Sequence, residues 1–262
     1  MQVLNRKLAV VRKQVPMTDA ERATREDLAA AYRLVAMFAW DALLATHISA
    51  RVPDEDGAFL INPFGLMFEE VTASSLVKVN LDGEILQDTP YSINQAGYVI
   101  HSAIHGARHD AGCVIHLHTP DGVAVSSVQG GLLPLNQLGM LVRTQVATHE
   151  YEGVSLDEAE RERLVADLGD RFLMFLLNHG TLAVGASIPE AFAHMYWLET
   201  ACSLQVRTLS MSLPAHRASE DVVARTQSMM KIGAESRAEY CKSVIWPALL
   251  RKLDRTNPGY RD

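Results

Sequence analysis

Long apolar runs, paired cysteines and an excess of basic charge are all missing from this 262-residue chain, and each absence excludes something. No apolar stretch approaches the roughly 18 residues that a membrane-spanning helix requires, because His, Asp, Gln or Gly interrupts every candidate. The three cysteines, Cys113, Cys202 and Cys241, stand far apart with no Cys-x-x-Cys pair. That count excludes a disulfide framework and fits a reduced, cytoplasmic protein. Lys and Arg number 24 against 31 Asp and Glu, a net charge of −7, so charge gives no reason to expect nucleic-acid binding. Met1 to Lys13 is basic but has no apolar core segment, unlike a secretory signal. Hydrophobic residues at 48% and charged residues at 21% exclude a disordered chain.

What the chain does have is histidine, ten in all. Their placement matters more than their number. Residues 1–18 read as a polar N-terminal arm, and Thr18-Asp19-Ala20-Glu21 as a capping box that opens a helix reaching toward Trp40. Short strands are predicted over 46–52, 58–62 and 77–81, then a helix over 95–107 with Ala96, Val99, Ile100, Ala103 and Ile104 on one stripe. Residues 113–118 and 171–177 read as buried strands, and Ser187-Ile188-Pro189-Glu190 starts a long helix ending near Leu209. The division expected is an arm at 1–18, one α/β domain at 19–212 and a helical extension at 213–262. In that extension Trp246, Leu249, Leu250 and Leu253 need a covering surface.

His116 and His118 sit two apart on a predicted strand, so both point to one face and can converge on one ion. His179 closes another buried strand beside Gly180, which permits close backbone approach. Three neutral imidazoles with an open fourth position suit a catalytic zinc or iron. From the residues alone, two strand histidines bonded to backbone and one loop histidine are the plainer reading.

The segments Cys113-Val114-Ile115-His116-Leu117-His118-Thr119-Pro120 and Asn178-His179-Gly180 resemble the class II aldolase/adducin superfamily. Thr46-His47-Ile48-Ser49-Ala50-Arg51, Ile61-Asn62-Pro63-Phe64-Gly65, Asn94-Gln95-Ala96-Gly97 and Gln205-Val206-Arg207-Thr208-Leu209 extend the resemblance over about residues 22–212, toward its adducin-like branch. The resemblance implies a three-layer α/β/α sandwich with a mainly antiparallel central sheet. It further implies one divalent metal on His116, His118 and His179, zinc first and Fe(II) as the alternative, and a homotetramer with a small-molecule substrate.

The departures from the family pattern are equally informative. Its sugar-phosphate aldolases carry a Ser-Ser-Glu segment upstream of the two histidines, whose Glu is the acid/base. Gln95-Ala96-Gly97 stands there, and Gly97 cannot move a proton. The family's phosphate-loop Asn is His47 in this chain. A standard sugar-phosphate aldolase is therefore disfavoured. His47 and Gln95 become the candidates for catalysis, Ser49, Asn62 and Gly65 for substrate binding, and Asn178 and Asp121 for support of the ligand histidines. His101 is expected to pack toward the triad, with His105 and His109 toward solvent. Three functions follow as expectations: a metal-dependent lyase-type enzyme on a small hydroxy or oxo compound, a non-haem iron oxygenase on the same centre, or a non-catalytic scaffold like the adducin head.

Overall fold

A computed structural model describes residues 17–153, 159–230 and 234–262. The expected N-terminal arm, apart from Met17 and Thr18, lies outside them. Helix α1 (Asp19–Met37) starts where the capping box predicted: the Thr18 side chain accepts the Glu21 N–H at 3.1 Å. The strands are β1 (His47–Arg51), β2 (Ala58–Ile61), β3 (Val77–Asn80), β4 (Cys113–Leu117), β5 (Val146–His149), β6 (Leu173–Leu176) and β7 (Gly180–Gly185). They form one seven-stranded sheet in the order β3-β2-β1-β4-β7-β6-β5. Every neighbouring pair is antiparallel except β5–β6, which is parallel.

Alternation along the strands divides the core in two. Ile48 and Ala50 of β1 and Cys113, Ile115 and Leu117 of β4 pack with α1 and with α6 (Ile188–Ser210). Val114 of β4 and Leu182 and Val184 of β7 face the other way, against α2 (Gln95–Ala107) and α5 (Glu160–Leu168). The mainly antiparallel α/β/α sandwich is therefore the observed fold. The register sets His47 of β1 directly opposite His116 of β4, on the face that α2 covers.

Strand β5 and helix α5 are among the elements that were not anticipated. Strand β5 has four residues, of which only Ala147 and His149 are buried, too short and too polar for a periodicity signal. Helix α5 is predominantly charged and buries little beyond Leu164, Leu168 and Glu160. For the C-terminal segment the same chain supplies the covering surface that its apolar residues need. In α9 (Trp246–Thr256) Trp246 and Leu253 are buried in the α1–α6 core, and Trp246 Nε1 donates to Asp27 Oδ1 at 2.8 Å. The Arg33 guanidinium then holds the tail through Asn257 Oδ1 at 2.9 Å and the Pro258 carbonyl at 2.6 Å. Among the described residues no helix is long and apolar enough to cross a membrane.

Candidate metal centre

Strand β4 carries His116 and releases His118 at its end, while the turn between β6 and β7 brings in His179. That turn is tight. Asn178 takes a left-handed backbone (φ +59°), which Asn tolerates better than most residues, and the His179 N–H returns to the Leu176 carbonyl at 3.0 Å. Gly180 is required at the next position, because a Cβ there would run into the Leu117 carbonyl and the His118 ring. The three imidazoles consequently meet with ring centroids 4.6–4.8 Å apart. One nitrogen from each lies within 4.8 Å of the others.

The donor set fits a divalent cation. His116 Nδ1 lies 3.0 Å from the Thr181 carbonyl, which can only accept, so this nitrogen carries the proton and Nε2 is a lone pair. His118 Nε2 lies 2.8 Å from that lone pair. At that distance a His118 Nε2–H can donate to it, and with both nitrogens unprotonated the pair can share a cation. Burial keeps all three rings neutral at pH 7: it pushes His118 down to about 4, lowers His179, and depresses His116 furthest. Neutral imidazole is the ligand form.

Beside the triad lies His47, buried, with its ring stacked against His116 at 5.9 Å. Burial first, then the neighbouring His118 and His179, pushes it down to about 3. Neither of its ring nitrogens has a hydrogen-bond partner among the described residues. The room for this ring comes from α2. A Cβ on Gly97 would sit 2.5 Å from His47 Cγ and Cδ2, far inside contact distance. His47, His116, His118 and His179 line one wall of a cavity of about 400 Å³, completed by Ala45, Asn94, Ala96, Ile100, Tyr151 and Gly153. The cavity combines an apolar lining with a few convergent polar groups, the usual make-up of a small-molecule site.

A family model described as "Class II Aldolase and Adducin N-terminal domain" matches residues 26–206. The chain belongs to this family. The crystal structure of an aldolase II superfamily protein from Pseudomonas syringae is 46% identical, with a TM-score of 0.88 over 94% of this chain and 98% of that one. L-fuculose 1-phosphate aldolase from Glaciozyma antarctica superposes over 94% of this chain and 97% of that one, with a TM-score of 0.78 and 27% identity. Alpha-adducin from Rattus norvegicus is 47% identical over 193 residues, which is 72% of this chain and 26% of alpha-adducin.

Within this class II aldolase/adducin fold, the other candidate residues lie away from the cavity wall. Gln95 is exposed: its neighbours Asn94 and Ala96 line the cavity, and the helical turn carries Gln95 past it. Asn62 is buried against Tyr32, whose hydroxyl lies 2.9 Å from Asn62 Oδ1. Ser49 sits beneath the wall on the same face of β1 as His47, bonded to two imidazoles described below. Gly65 has a left-handed backbone (φ +106°) with open space around it. Asp121, expected to support a ligand histidine, lies in the first turn of α3 (Pro120–Ser126), and the Thr181 carbonyl supports His116 instead. His105 is buried rather than solvent-facing, whereas His109 is exposed as expected.

Glu199 of α6 escaped notice in the sequence. It is buried beneath the centre, accepting from the Thr119 hydroxyl and from Thr181 Oγ1 at 2.5 Å, so it braces both residues that follow or hold the ligands. The available signal was a carboxylate on the helix face that also buries Phe192, Met195, Leu198 and Cys202. Burial, opposed by these two hydroxyl bonds, raises its carboxyl from 4.5 to about 7. The unfolded chain therefore loses this proton near pH 4.5 and the metal-free fold only near pH 7, so stability drains away as pH rises through that window. Glu199→Gln should relieve this by on the order of 3 kcal/mol between pH 5 and pH 8. Urea unfolding of the metal-free protein at the two pH values measures it, and equal slopes for variant and wild type would refute it.

Proposed function

We propose that this protein is a metal-dependent, lyase-type enzyme that acts on a small, non-phosphorylated hydroxy or oxo compound. The observation that carries the reading is the three-histidine centre opening onto a cavity whose fourth imidazole, His47, has no hydrogen-bond partner among the described residues. A bound divalent metal would supply Lewis acidity, polarising a carbonyl and stabilising the adjacent negative charge. His116, His118 and His179 would hold it, with zinc the first candidate and Fe(II) the second. His47 would meet the substrate, and Asn94 and Tyr151 offer further polar contacts. The described residues of the wall include no Lys or Arg to meet a phosphate. This supports a chemistry different from that named for the L-fuculose 1-phosphate aldolase. With Gly97 at the acid/base position, a proton would have to leave through a group other than the family's carboxylate.

A homotetramer in the cytoplasm belongs to the same proposal. The exposed Leu204, Leu209, Met211 and Leu213, running off the end of α6, offer an apolar surface for association, and light scattering measures the assembly. A second reading, a scaffold like the adducin head, draws on the 47% identity with alpha-adducin. Actin co-sedimentation separates it from catalysis.

The deciding experiment is metal analysis of purified protein followed by assay under defined metal loading. Near one equivalent of metal per chain is expected, with carbonyl-compound cleavage, dehydration or decarboxylation on a panel of hydroxy and oxo acids. Oxygen uptake with the iron-loaded protein would shift the reading to an oxygenase. Absence of stoichiometric metal would overturn it.

A further inference from the structure

Beneath His47 lies a buried chain of groups with no part in the chemistry described so far. Ser49 Oγ is 2.5 Å from His101 Nδ1 and 2.7 Å from His105 Nε2, and His105 Nδ1 is 3.1 Å from the Ala111 carbonyl. All three side chains are excluded from solvent. Burial lowers both imidazoles, His105 to about 3 and His101 further, so both are neutral.

The positions of the protons then follow one from another. A carbonyl only accepts, so His105 Nδ1 carries its proton and His105 Nε2 is a lone pair. That lone pair must take the proton of the Ser49 hydroxyl. Having donated its one proton, Ser49 Oγ accepts from His101, which fixes the His101 proton on Nδ1. His101 Nε2 is left as a lone pair, buried and without a partner among the described residues. The His101 ring meets His47 edge-on, with centroids 5.8 Å apart and planes at 88°. Both nitrogens of His47 are also buried and unpaired, so matching a His47 N–H to His101 Nε2 satisfies two such groups together.

We infer that Ala111, His105, Ser49 and His101 form a polarised relay that sets the tautomer of His47, the imidazole lining the cavity, by holding its proton on the side of His101. His101, Ser49 and His105 are thus positioning residues. The inference rests on the cavity being a substrate site. Its test reads ring protons without substrate, so a failed relay leaves that site standing, and an inactive enzyme leaves the relay standing.

The experiment is long-range 1H–15N correlation on the full chain, labelled with 15N-histidine and loaded with Zn2+, which is diamagnetic. In the wild type, His101 and His105 should each show a protonated-type Nδ1 and an unprotonated-type Nε2. Ser49→Ala should move His101 out of that fixed pattern and shift the His47 nitrogens with it. A wild-type His101 protonated at Nε2 overturns the relay, whether or not the variant folds. So do His101 and His47 signals that stay in place in Ser49→Ala.

Discussion

Replacing His116 with alanine is expected to strip the protein of bound metal and to abolish metal-dependent turnover. Among the three histidines of the centre, His116 is the most deeply buried and the one whose ring is tied on its far side, to the Thr181 carbonyl. Loss of a supporting group around a metal ligand typically weakens binding by about 10–100-fold. Loss of the ligand itself, from a centre with only three protein donors, should exceed that range. The fold should survive, since the strand pairing of His116 with β1 and β7 is made by backbone. Metal content after gel filtration, beside a far-ultraviolet spectrum, separates the two effects. Wild-type metal content in a folded variant would mean that the metal is held elsewhere.

Some of this site was legible in the sequence, and the boundary between legible and hidden has a physical basis. The period of two on a strand is local, so His116 and the adjacent His118 could be read as converging without any knowledge of tertiary structure. His179 joined them through the family resemblance and through Gly180, whose missing side chain lets the turn close against β4. The role of His47 is a matter of register. Only the β1–β4 pairing sets it opposite His116, and a slip by one residue would have sent it to the α1 face. The spacing of His101 and His105 fixed a common helix face but not which way that face looks, so His105 was expected in solvent although it is fully enclosed. Most of the sheet followed from its apolar runs. Strand β5, which buries only half of its residues, had too little pattern to follow.

Gly97 has a second property that its place in the sequence does not show. By the resemblance it stands where a family carboxylate is expected. In three dimensions it is also the gap that admits the His47 ring, so the two departures from the family pattern, His in the loop and Gly on the helix, occupy a single volume. Neither change is comfortable alone. A side chain at 97 would collide with His47, and without His47 a glycine would leave a void beside the three clustered histidines.

Gly97→Ala tests this coupling and is expected to lower turnover by about 100-fold or more, the usual contribution of a positioned proton-handling group. The three nearest atoms to the added methyl all belong to His47, so the imidazole must swing away while the triad stays in place. The effect on stability should be small. An alanine within α2 gains about 0.5–1 kcal/mol of helix propensity over glycine, which offsets part of the 1–3 kcal/mol that overpacking costs. Metal content near wild type, little change in melting temperature and a large loss in turnover would together isolate the position of His47 as the cause. His47→Gln should show a similar loss, and the double variant should be barely worse than either single one, because both changes remove the same interaction. Full turnover in Gly97→Ala would show that the reaction does not depend on where that ring sits. Metal loss in parallel with turnover would instead assign the defect to the triad, and His47 would then be a packing residue rather than the group that meets the substrate.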